Sequence, residues 1–103
     1  MKVYNKLVRD KIPEIIEASG KKAEIRIAGD MEYKDLLGKK LLEEVNEFLE
    51  SKDPEELADI IEVVKALGKT HEMNLEELIR LAEEKKAKRG GFDKRIVLIE
   101  VQA

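Results

Sequence analysis

The sequence predicts a mainly α protein: an antiparallel helical bundle with a carboxylate-lined central hairpin, plus a small two-stranded β element. Three observations predict it. Apolar residues recur at helical spacing over three long stretches, the breaks between those stretches carry capping residues, and only two short segments alternate like strands. A chain of 103 residues has room for one core, so 1–103 is read as a single domain.

The elements follow in order. Residues 1–11 interleave apolar and basic groups (Val3, Tyr4, Lys6, Leu7, Val8, Arg9, Lys11) and read as an extended arm. Pro13 suits the first turn of a short helix carrying Ile12, Ile15 and Ile16, with Gly20 ending it. Ala23, Ile25 and Ile27 alternate with Glu24 and Arg26, a strand pattern with one buried face. Asp30 is placed to cap the next helix, which runs to about Lys52, and Asp53-Pro54 restarts a helix ending near Gly68. Asn74 with Glu77 makes a capping pattern, and Met73 with Leu78 stands at hydrophobic-staple spacing, so another long helix starts there. It fades in the basic stretch Lys85, Lys86, Lys88, Arg89. After Gly90-Gly91, the run Ile96 to Val101 reads as a second strand, the partner of 23–28.

Composition removes several classes of function. There is no cysteine, so disulfides, thiolate metal sites and cysteine nucleophiles are excluded, and any metal is left to oxygen ligands or the single His71. His71 has no companion histidine and reads as a surface residue. A net charge of -3 argues against a general nucleic-acid binder and for a small-molecule partner. No apolar run reaches the length of a membrane span, and the opening MKVYNKLVRDK lacks a secretory apolar core, so a soluble, cytoplasmic protein is expected.

The informative residues are carboxylates where a helix reserves room for its core. At about 100° per residue, Leu37, Leu41, Val45, Phe48 and Leu49 share one arc, with Glu44 at its edge and Glu47 about 60° outward. On the following helix Glu56 projects between Val63 and Leu67, and Asp59 between Ala66 and Val63. A buried, ionised carboxylate is costly unless paired, protonated or bound to a metal. The pairs Glu44/Glu47 and Glu56/Asp59 stand on consecutive helices joined by a short turn, so an antiparallel hairpin brings them together. Four converging acids repel unless a cation neutralises them, and hard oxygen ligands suit magnesium, manganese or calcium. The plainer alternatives are a solvated face for Glu43, Glu44 and Glu47, and a capping box with Asp53 for Glu56. Asp59 has neither helix propensity nor a capping role to explain it. Glu62, one turn on, is an accessory ligand, a water-orienting base or a surface residue.

A basic constellation follows: Lys85, Lys88 and Arg89 before Gly90-Gly91-Phe92, then Lys94 and Arg95. Paired glycines let backbone approach an anion, and Lys88 and Arg89 suit phosphate. A positive helix end with a glycine cap accounts for the same residues. Lys6, Arg9 and Lys11 are either a further phosphate site or an exposed basic arm.

Glu43-Glu44-Val45-Asn46-Glu47 followed by Glu56-Leu57-Ala58-Asp59 resembles the EExxE and ExxD signature of the MazG-like, all-α nucleotide pyrophosphohydrolase superfamily. Tyr4 to Ile16 (YNKLVRDKIPEII) and Lys88 to Phe92 (KRGGF) resemble the ends of its compact phosphoribosyl-ATP pyrophosphohydrolase-like branch. The resemblance covers nearly the whole chain. It implies magnesium ligation by Glu44, Glu47, Glu56 and Asp59, with manganese as a substitute. It also implies water attack at the α-phosphorus of a nucleoside triphosphate, release of pyrophosphate and monophosphate, and assembly as a homodimer or higher homo-oligomer. The gap between the two acidic motifs is shorter than in typical members, which leaves Glu43 versus Glu44 open. Two other readings stand beside this one: the same chemistry on phosphoribosyl-ATP in histidine synthesis, and a non-catalytic, cation-binding helical assembly module.

Overall fold

A computed structural model describes residues 2–103. Four helices account for its regular structure: α1 (Ile12–Ala18), α2 (Asp30–Ser51), α3 (Pro54–Thr70) and α4 (Leu75–Arg89). The expected mainly α architecture is therefore observed. The β element is not: among the described residues neither 23–28 nor 96–101 forms a strand. A strand exists only through the partner that takes its backbone hydrogen bonds, and the two segments do not pair within the chain. Their apolar side chains lie in the open, Ile27 at 88% and Ile99 at 90% exposure.

α2 and α3 pack along one another and form the centre of the molecule. Leu37 of α2 and Val63 of α3 are the buried apolar side chains among the described residues, one from each helix. The hairpin turn explains their pairing. Lys52 adopts the left-handed conformation (φ 59°) and its N–H donates to Phe48 O (2.8 Å), ending α2 abruptly. The Asp53 N–H donates to Ser51 Oγ (3.1 Å), and Asp53 Oδ1 accepts from the Glu55 N–H (2.9 Å) to cap α3. With Pro54 in the first helical turn, two residues suffice to reverse the chain.

Caps also set the remaining ends. Asp30 is the first residue of α2 rather than its cap: Gly29 holds that position, with no side-chain hydrogen bond. At α4 the expected capping box forms, Asn74 Oδ1 accepting from the Glu77 N–H (2.9 Å) while Glu77 Oε1 accepts from the Asn74 N–H (3.1 Å). Near the end of α3, Gly68 is required by space. A Cβ there would fall 2.7 Å from the Met73 carbonyl oxygen and 2.8 Å from Leu78 Cδ1, so a larger residue would push α4 away from α3. From Ile79 onward every residue of α4 is exposed, and α4 meets the hairpin only through α3. No helix among the described residues is long and apolar enough to cross a membrane.

The chain is extended for its size. Its radius of gyration is 18.1 Å, where a compact domain of this length has about 13 Å. Leu42 and Leu49, seven positions apart on α2, are 62% and 55% exposed. Leu57 and Ile61, one turn apart on α3, are 45% and 50% exposed. The hairpin therefore carries apolar area that this chain alone leaves uncovered.

Candidate metal centre

The hairpin brings three of the expected acids together. Glu44 of α2 and Glu56 and Asp59 of α3 each offer a carboxylate oxygen within 4.8 Å of the other two, so the group can hold a metal ion. Glu44 is buried (7% exposed), and Glu56 and Asp59 are half-buried. The placement follows from helical geometry: Glu44 borders the apolar arc of α2, about two turns beyond buried Leu37, and Asp59 stands one turn before buried Val63. Glu47 is exposed and outside the three-residue group, although its charge reaches both Glu44 and Glu56.

Two features distinguish this group from an ordinary charged face. Glu44 Oε2 is fully buried and has no hydrogen-bond partner, while Oε1 is 3.3 Å from Lys40 Nζ. An unsatisfied buried carboxylate oxygen is costly, and this one belongs to a residue set among like charges. Glu56, moreover, is not occupied in a capping box, because Ser51 Oγ takes the Asp53 N–H that such a box would use. Its carboxylate is free to face the other acids.

The electrostatics follow from crowding. Burial pushes the Glu44 carboxyl above its ordinary value; Lys40 opposes this and the Glu47 charge adds to it. Glu56 is also raised, by desolvation first and then by Glu47, Asp59 and Glu44. Protons and a cation therefore compete for the same oxygens. Cation affinity is expected to fall as pH drops through these raised values, starting above the range where isolated carboxylates protonate. Titration calorimetry with magnesium across pH 4 to 8 measures it, and an onset at the ordinary carboxylate range would contradict the crowding.

The other candidate residues divide clearly. Glu43 pairs with Lys6 Nζ (2.6 Å) and Lys40 Nζ (3.1 Å), and the Lys6 contact chiefly holds its pKa below the usual value. Glu62 pairs with Lys65 (3.4 Å) and is half exposed. Arg9 Nη2 lies 2.7 Å from Asp59 Oδ1, which brings one basic residue of the arm onto the acidic group itself. Lys88 and Arg89 sit in the exposed last turn of α4, and among the described residues neither bonds to Glu44, Glu56 or Asp59. His71 ends α3 in an exposed loop.

Sequence reasoning missed Lys40. Its spacing to Glu43 and Glu44, three and four positions on, was the available signal, since such pairs meet on a helix surface. An all-oxygen donor set of this kind suits a hard divalent cation and leaves coordination positions for water or phosphate oxygens. No family model, curated protein or solved structure matches the chain.

Proposed function

We propose that this chain is a magnesium-dependent nucleotide pyrophosphohydrolase that cleaves a nucleoside triphosphate to a monophosphate and pyrophosphate. The observation that carries the reading is the convergence of Glu44, Glu56 and Asp59 across the hairpin, with Glu44 buried and one of its oxygens unpartnered. These are residues on which the MazG-like resemblance also falls. In the proposal Glu44, Glu56 and Asp59 hold the cation, and Glu47, one turn along α2, orients water at the edge of the group. Magnesium bound there would lower the pKa of the attacking water and offset charge on the departing pyrophosphate. Manganese fits the same oxygens.

The chain's own residues supply the rest. The half-buried positions of Glu56 and Asp59 leave one side of the group open to a polyphosphate. Lys40 and Lys6 pair with Glu43 and hold it ionised. Lys6, Arg9, Lys88 and Arg89 are the proposed phosphate contacts, the last two reaching a site only if α4 is brought to one, as in an assembly of several chains. No covalent nucleophile is required, in keeping with a chain without cysteine.

The test is a nucleotide panel with magnesium, products separated and quantified. Monophosphate and pyrophosphate in equal amounts are the expected first products. Orthophosphate with a diphosphate would exclude attack at the α-phosphorus. Turnover confined to phosphoribosyl-ATP would move the assignment to histidine synthesis, and cation binding without turnover would favour an assembly module.

A further inference from the structure

The arm of residues 2–11 is held on the hairpin in an unusual way. Lys6 Nζ reaches Glu43 Oε1 of α2 at 2.6 Å, and Arg9 Nη2 reaches Asp59 Oδ1 of α3 at 2.7 Å across fifty positions of sequence. Apart from these two pairs, the anchorage is slight. Leu7 is the arm's half-buried side chain, every other described residue of it is exposed, and a cavity of about 60 Å³ remains between Asn5–Leu7 and α2 at Leu36, Lys39, Lys40 and Glu43. In the Arg9–Asp59 pair the side chains are 54% and 40% exposed. Pairs of that kind contribute little and are readily exchanged.

Arg9 nonetheless stands on one of the three carboxylates that converge. Three acids face two cationic side chains there, Arg9 and Lys40, and Lys40 is shared with Glu43. A divalent cation among the three carboxylates would place two positive charges beside the guanidinium that Asp59 Oδ1 holds. Like charges at that separation repel, so a bound cation weakens the hold of Asp59 on Arg9. Lys40 can turn to Glu43 without moving backbone, because both are on α2. Arg9 is one of the two side chains that hold the arm, so its release leaves the arm on the Lys6–Glu43 pair and half-buried Leu7.

We propose that Arg9 is an exchangeable counter-ion for the cation site, so that loading of a divalent cation displaces it from Asp59 and opens the arm. This rests on reading the three carboxylates as a cation site. The displaced guanidinium stays tethered beside the group, where phosphate oxygens carried on the cation become its partner, a planar donor fork suited to them. The arm thus neutralises the acids before loading and presents a phosphate contact after it. Because the coupling is reciprocal, the cation loosens the arm by the factor by which the arm weakens the cation.

Two measurements on the full chain test this, with magnesium or manganese chloride alone as the probe. Calorimetric titration of Arg9→Gln, its helical content checked by circular dichroism, should give cation affinity roughly two- to fivefold tighter than the wild type, the worth of one exposed ion pair. Limited trypsin cleavage of the wild type after Arg9, relative to cleavage after Lys21, should quicken on adding the cation. Affinity unchanged or weaker in Arg9→Gln, or relative cleavage indifferent to the cation, would overturn the exchange and leave the cation site standing. No cation uptake by either protein would overturn both.

Discussion

Glu44→Gln is expected to melt no lower than the wild type in chelator, to lose most of the stabilisation magnesium gives, and to lose nearly all turnover. The substitution keeps the shape of the side chain and removes its charge. In the metal-free protein Glu44 is buried, its Oε2 is unpartnered, and its pKa is raised by burial and by Glu47. The amide relieves that strain and can donate to a neighbouring carboxylate. Lys40 is not stranded, because it keeps Glu43 at 3.1 Å. With magnesium the sign reverses. A ligand that binds only the folded form at a hundredfold excess over Kd stabilises by on the order of 2.7 kcal/mol, and most of this should be absent from the variant. Turnover should fall by more than about a hundredfold, beyond the loss expected from a merely supporting hydrogen bond to a metal ligand. Calorimetry with magnesium and with chelator, alongside the product assay, separates the cases. A variant that melts lower yet responds normally to magnesium would make Glu44 a structural carboxylate. Asp59→Asn is the less clean choice, since it also cuts the pair with Arg9.

The second large effect concerns assembly. Leu42, Leu49, Leu57 and Ile61 give the hairpin an apolar face in contact with water, and two buried apolar side chains are a small core for a chain of this length. Because those residues are already about half buried, covering the rest in a homo-oligomer would recover about half of the ~1.5–3 kcal/mol that full burial of a leucine or isoleucine gives. The melting temperature is therefore expected to rise with protein concentration, and sedimentation at micromolar concentration to give a mass of two or more chains. Leu42→Lys should shift the sedimentation toward one chain and lower the melting temperature. A single-chain mass with a concentration-independent melt would show that the face stays exposed.

Much of this architecture was legible because its determinants are local. The Asp53-Pro54 restart, the Asn74/Glu77 box and Gly20 each act within a few residues, and the helix borders fell close to them. Helical phase likewise placed Glu44 at the edge of the apolar arc of α2 and pointed Glu56 and Asp59 inward on α3; Glu44 is the buried one, and Glu56 and Asp59 are half-buried. The strands were not legible, because alternation at Ala23 to Ile27 states which face would be buried but names no partner, and none is supplied within the chain. Nor was the docking of Arg9 on Asp59 legible, since nothing periodic links residues fifty positions apart. Glu56 was ambiguous in sequence for a different reason: Ser51 decides it, by taking the backbone donor that the capping box would have used.

The two-residue reversal at Lys52 and Asp53 also bears on the order of events during folding. Glu44 and Asp59 are separated by only fifteen positions, so little loop-closure entropy stands between an unfolded chain and their approach. Contacts of such low contact order form on the microsecond-to-millisecond scale of helical hairpins, earlier than any encounter between chains. A cation held by Glu44, Glu56 and Asp59 would then depend on the hairpin alone, and a single chain would already offer the place for it. Its capture of a cation would tie the two helices together at their acidic ends and hold the nucleus closed while the apolar faces find their partners.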